Sequence, residues 1–267
     1  MISQHQKFIH SSVAELLLES ASLMSTISEG IMLLKTLDYI MQTVFMKMTG
    51  YLEQKLKCIC WEIASESFEY RYAVYQKERI TGFSTYKDKK AVLNDLLKEI
   101  KKVAREYKIA EDKKGEVITE TKKILSEFIR SADLQKVFPA QIEKMNEFLA
   151  ALGPTHLLPN SSSGDLKTIE IFSGQIKNAE KVVDRDRPKD KINLQLAYEE
   201  LVYRHRNRCA HNTLCYQRNN PPIELISRSD YCYYNYFVRF AILLLMDKIF
   251  VCVYRAWHDK CCHAYLQ

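Results

Sequence analysis

Glycine and proline are scarce in this chain, 7 and 6 in 267 residues. A turn-rich β architecture draws on both at its turns, so the shortage argues for long helices. Clean apolar runs are missing too. Of the two candidates, residues 31–48 are interrupted by Lys35 and Asp38, and residues 237–254 by Arg239, Asp247 and Lys248. Neither offers the roughly 20 uninterrupted apolar residues of a membrane span, so no membrane association is expected. The first ten residues carry no apolar signal core, which points to a cytoplasmic protein whose eight cysteines are free thiols. There is no P-loop, no His-Glu-x-x-His, no Gly-x-Ser-x-Gly and no dinucleotide-binding glycine pattern. No cofactor is expected.

The chain does have 47% hydrophobic residues, ample for a core, and windows dominated by Lys, Glu, Leu, Ile and Ala. The predicted fold is all-α, a helical bundle with additional N-terminal helices. Two parts are expected. Residues 1–110 form an N-terminal helical region, for dimerisation, for sensing or as an extension of the bundle, and residues 111–267 form the bundle proper. One continuous domain is the other division consistent with the pattern.

Apolar residues recur at three- and four-residue spacing from Leu16 through Phe45, with a methionine-rich stripe that reads as core filler. Gly50 and residues 81–84 are the expected breaks. A charged amphipathic helix is predicted over 87–107, a turn at 112–115, a helix over 116–131 and another from Pro139 to near Gly153. Residues 152–165 read as the clearest linker or long loop, with a helix over 166–183 and a solvated turn over 184–190 beyond it. A further helix from about Ile192 carries Leu194, Tyr198, Leu201 and Val202, and Asn212, Asn219, Asn220, Pro221 and Pro222 bring it to an end. The last helix, about 231–259, is apolar nearly all round and belongs in the centre of a bundle.

The net charge of +6 is mild, but its distribution is not. Between Leu201 and Ile223 there is no Asp or Glu, while Arg204, His205, Arg206, Arg208, His211 and Arg218 crowd together with Tyr203 and Tyr216. Cations beside aromatic faces suit a polyanion with unpaired bases. Within the cluster, Arg206-Asn207-x-x-Ala210-His211 combines a fixed cation, an amide and an imidazole. On a continuous helix Arg206 and His211 point about 140° apart, so their convergence requires a break, and Arg204 is the reserve partner for His211.

The stretch Arg206-Asn207-Arg208-Cys209-Ala210-His211 resembles the motif of the HEPN superfamily, an arginine and a histidine separated by four to six residues, the first of which is usually polar. The resemblance covers this motif and its helical setting. It implies a HEPN-like helical bundle in the C-terminal part, a homodimer that joins two motifs in one composite cleft, and a metal-independent endoribonuclease of a toxin or antiviral defence system. An antitoxin or another defence-system protein is then a partner beside RNA itself. RNA brings its own 2′-OH nucleophile, so the protein has only to move protons and neutralise the phosphorane. His211 is suited to the protons, Arg206 to the phosphoryl oxygens, and Asn207 to positioning. Arg204, His205, Arg208, Arg218 and Tyr216 are the expected RNA contacts. The expected products carry 2′,3′-cyclic phosphate and 5′-OH ends.

The same residues permit plainer readings. His211 suits a helix C-terminus, and Arg206 pairs well with Glu199 or Glu200 on its own helix. That arrangement serves a non-catalytic RNA-binding or protein-interaction module. Cys209, among arginines, is a candidate low-pKa thiol, whereas Cys58 and Cys60 read as buried. His258, Cys261, Cys262 and His263 lack the spacing of a metal site, and none is assigned.

Overall fold

The computed structural model describes residues 3–27, 33–77, 82–107, 111–151, 194–211 and 231–261. It is helical, and no strand occurs among the described residues. The expected loop over 152–165, the helix and turn after it, the Asn and Pro punctuation, and Tyr216, Arg218, Cys262 and His263 lie outside the described residues.

Two short N-terminal helices, α1 (Gln4–His10) and α2 (Ala14–Ser25), precede the long α3 (Leu33–Glu66) and α4 (Phe68–Lys77). Helix α1 opens on a capping box in which Ser3 Oγ accepts from the Gln6 N–H at 3.0 Å while Gln6 Oε1 accepts from the Ser3 N–H at 3.0 Å. Thr85 and Asp88 build the same device at the start of α5 (Tyr86–Val103). Helix α6 (Glu111–Ser131) ends in a Schellman motif: Asp133 adopts φ 49°, the Leu134 N–H reaches the Ile129 carbonyl at 3.0 Å and the Asp133 N–H reaches Arg130 at 3.2 Å. Pro139 supplies the first position of α7 (Pro139–Ala151), where its missing N–H costs nothing.

Two expected breaks are not breaks. Gly50 lies inside α3, and residues 112–115 lie inside α6. A lone glycine costs a helix about 1 kcal/mol, less than a continuous apolar face recovers. In α3 that face is Phe45, Met48, Leu52 and Leu56, all fully buried. At the start of α6 the Lys113–Glu116 ion pair at 2.8 Å spans the expected turn.

The chain continues as one helical run over residues 194–211. It starts with α8 (Leu194–Ala197), widens into a π segment (Tyr198–Tyr203) and returns to α-helix as α9 (Arg204–His211). A short 3₁₀ turn (Tyr231–Tyr233) leads to α10 (Tyr236–Cys261).

Helix α10 is the axis of the bundle. Every residue from Phe237 to Asp247 is buried, and α10 packs on α3, α5, α6, α7 and the π segment. A helix apolar on all sides is stable only when other helices surround it. The hydrophobic cluster runs from Ile9 through Trp257, so elements on both sides of residue 110 contribute to it. No described helix is long and apolar enough to cross a membrane.

Two charges sit inside this core. Lys55 of α3 is fully buried and pairs with Asp247 of α10, itself 1% exposed. The remaining polar valences are met locally: Lys55 Nζ donates to the Ser11 carbonyl at 2.6 Å and Asp247 Oδ2 accepts from the Val13 N–H at 3.3 Å. Burial pushes the Asp247 carboxyl up and the Lys55 ammonium down, and their mutual contact opposes both shifts. The pair fixes the junction of α1 and α2 against the central helix.

Candidate functional site

The arginine cluster occupies α9, which packs on α3 and continues from the π segment. A π turn places i→i+5 bonds in the ladder, here Arg204 N–H to the Glu199 carbonyl, and such turns recur at functional sites. Arg239 of α10 reaches into this turn, and its Nε donates to the Leu201 carbonyl at 2.8 Å. Its guanidinium lies 5.2 Å from the Tyr236 ring centroid, and burial brings its pKa down to about 10.

Arg206 faces α3. Its Nη2 lies 3.5 Å from Glu53 Oε1, and its Nη1 donates to Asn207 Oδ1 at 3.3 Å. Both members of the Arg206–Glu53 pair keep some solvent contact, with side chains 27% and 20% exposed. Behind them lies Lys89 of α5, 1% exposed, whose Nζ donates to the Phe83 and Ser84 carbonyls and sits 4.8 Å from the Tyr198 ring centroid. Burial lowers its pKa to about 7, the Arg206 charge adds to that, and Glu53 and Asp88 oppose it.

Arg204 takes the partner expected for Arg206, because Glu200 lies four residues before Arg204, on the same helix face, and six before Arg206. Its Nη1 meets Glu200 Oε2 at 2.6 Å, while Glu199 accepts from Gln195 Nε2 at 3.0 Å. The cross-helix carboxylate Glu53 therefore replaces Glu199 and Glu200 as the counter-ion of Arg206. The run from Arg204 to His211 is unbroken, so the expected break between Arg206 and His211 is absent and the two side chains leave the helix about 140° apart. His211 is exposed, at the edge of the described helix.

His205, expected at an RNA surface, is instead buried at 6% exposure between Phe45 and Tyr236, with ring centroids 5.2 and 5.4 Å away. Arg208 Nη2 lies 3.1 Å from its Nδ1. A guanidinium only donates, so Nδ1 is the acceptor and Nε2 carries the hydrogen that faces Tyr236 Oη at 3.2 Å. Burial, reinforced by the Arg239 and Arg208 charges, drives the His205 pKa down to about 2 and keeps the ring neutral. Arg208 is only half-exposed, and its Nε is buried without a hydrogen-bond partner among the described residues. Cys209 is buried with Sγ 3.5 Å from His205 Nε2. Burial outweighs the two arginines there and raises the Cys209 pKa, contrary to the low-pKa thiol expected from the sequence. Cys58 and Cys60 are buried, as their helical setting suggested, and burial pushes the Cys60 thiol up to about 11.

The structure thus gathers Arg206, Asn207, Glu53 and Lys89 on one side of the helix and His205, Arg208, Cys209, Tyr236 and Arg239 on another, with His211 apart in solvent. Glu53, Lys89 and Arg239 carry no local sequence signal. Glu53 reads like any other acid of α3, and its partner lies 153 positions away. Among the described residues no group of three or more His, Cys, Asp or Glu side chains forms a metal site. No protein-family model, curated protein or solved structure matches the chain.

Proposed function

We propose that the protein is a metal-independent endoribonuclease that acts as a toxin or antiviral defence effector. The RNA 2′-OH attacks the adjacent phosphorus, the 5′-oxygen leaves, and the products are a 2′,3′-cyclic phosphate and a 5′-OH. The observation that supports this most is the state of Arg206. It is a cation held from both sides, by Glu53 and Asn207, yet still partly open to solvent on the helix that also presents the exposed His211. A guanidinium so restrained is prepared to fork onto phosphoryl oxygens without first losing side-chain entropy. An exposed imidazole is the group suited to moving protons at the 2′- and 5′-oxygens.

Because Arg206 and His211 diverge on one helix, the reaction requires two chains, with Arg206 of one and His211 of the other on the same phosphate. The test is RNA cleavage in EDTA with end-group analysis. Wild type is expected to leave cyclic-phosphate ends, and Arg206→Ala and His211→Ala are expected to be inactive while folded. A co-expressed mixed dimer of the two variants regains up to half the wild-type rate, since one of its two clefts is then complete. Intact RNA with the wild-type protein rejects the nuclease.

One observation favours a second reading, a non-catalytic RNA-binding or interaction module. Arg204 and Arg206 are both already matched by carboxylates, which mutes the basic face. That reading gives salt-dependent RNA binding with no product.

A further inference from the structure

Tyr198 opens the π turn, and Arg206 follows eight positions later. On an unbroken α-helix, at about 100° per residue, that spacing leaves two side chains about 80° apart. The structure nevertheless brings them together. Lys89 Nζ lies 4.8 Å from the Tyr198 ring centroid, Arg206 Nη2 lies 3.5 Å from Glu53 Oε1, and the charges of Glu53 and Arg206 act on both Tyr198 and Lys89. An i→i+5 ring holds one residue more than an i→i+4 ring. The turn therefore absorbs one helical step and brings Arg206 to within about 20° of Tyr198.

The π form is rare in helices, and here a side chain from another element grips it. Arg239 Nε donates to the carbonyl of Leu201, in the middle of the turn, at 2.8 Å. The guanidinium is itself held, by burial at 3% exposure and by the Tyr236 ring 5.2 Å away. Leu201 is fully buried, so water has no access to replace the guanidinium as donor. On a plain α-helix the same carbonyl takes the His205 N–H, four positions on. The Arg239 bond thus favours the wide turn over the closed one.

We propose that Arg239 is a positioning residue for the Arg206 site: by holding the Leu201 carbonyl it keeps the π turn open, and the open turn keeps Arg206 on Glu53. The orientation follows from geometry alone. Its effect on RNA cleavage rests on the nuclease proposed above, in which Arg206 must meet the phosphate from a fixed direction.

The experiment reads the direction of residue 206 by crosslinking. The full chain carries Glu53→Cys and Arg206→Cys, and a short bismaleimide joins the two thiols, with the product mapped by mass spectrometry. The crosslink is expected with Arg239 in place and mostly lost in Arg239→Met. Deleting Glu199 as well leaves Tyr198 and Arg206 seven positions apart, within about 20° on a plain α-helix, so the crosslink is expected to return without Arg239. A general loosening of the core would not be cured by a deletion in another element. A crosslink retained in Arg239→Met overturns the proposal, as does one that the deletion fails to restore. The deletion alone, with Arg239 present, is expected to keep the crosslink, and its loss there overturns the proposal whether or not Arg239→Met folds. With Glu53 and Arg206 restored, Arg239→Met is expected to slow RNA cleavage by about 100-fold and the deletion to recover much of the rate. If the crosslinks behave as expected and even the wild-type protein leaves RNA intact, the nuclease fails and the positioning role of Arg239 stands.

Discussion

Arg206 of α9 and Glu53 of α3 meet with Nη2 and Oε1 3.5 Å apart, joining residues 153 positions distant in the chain. Because both ends are partly solvated, the pair adds little to stability, about 0–1 kcal/mol. Its consequence is orientation. Glu53→Gln is expected to keep the melting temperature nearly unchanged and to slow the proposed RNA cleavage by about tenfold, an activation cost of about 1.4 kcal/mol. Parallel melting and cleavage measurements check this. A slower, equally stable variant supports positioning, and an unchanged rate removes Glu53 from the site.

Asp247→Ala is expected to destabilise the fold by about 3–5 kcal/mol, because it strands the fully buried Lys55 ammonium. Replacing both, as Lys55→Met with Asp247→Leu, is expected to restore much of that loss, since neither charge then remains to be desolvated. Urea unfolding of Lys55→Met, Asp247→Leu and the double variant that combines them gives the coupling. Additive losses would show that the two buried charges do not act as a pair.

Acid is expected to weaken the fold through His205. Its folded pKa, about 2, lies below the ordinary 6.5, so between those values the unfolded chain binds a proton that the folded chain refuses. Stability contributed by this group is complete above pH 6.5 and declines as the pH falls, by at most about 1.4 kcal/mol per pH unit. His205→Gln removes the titration and is expected to flatten the acid limb, although it loses stability at pH 7. Unfolding midpoints of both proteins from pH 7 down to pH 5 decide it.

Gly50→Ala is expected to stabilise the protein by about 0.5–1 kcal/mol. The position is an exposed one inside α3, and a methyl group there meets no atom within 4 Å. A fall in the unfolding midpoint would show that this face of α3 is covered in solution.

Sequence patterning made the helices legible wherever a stripe or a cap was strong. The burial of Phe240–Asp247, the start of α7 at Pro139 and the break near Gly82 stem from local composition. Gly50 and residues 112–115 misled, because a helix-breaking preference of about 1 kcal/mol is smaller than the tertiary burial that overrides it. The arginine cluster was equally visible, but its division was not. Whether an arginine on α9 faces Glu53, Glu200 or the core depends on helices far away in sequence and on a π turn that no composition announces.

The sequence by itself determined an all-helical chain, a central apolar helix and a basic segment free of acids, since these rest on residue type and short-range spacing. Tertiary structure decided the rest. It buried His205 as a neutral ring, gave Glu53 to Arg206 and placed Lys55 against Asp247. Each of these depends on which charges approach one another after packing and on how much water the packing removes, and neither is encoded within a few residues of the groups concerned.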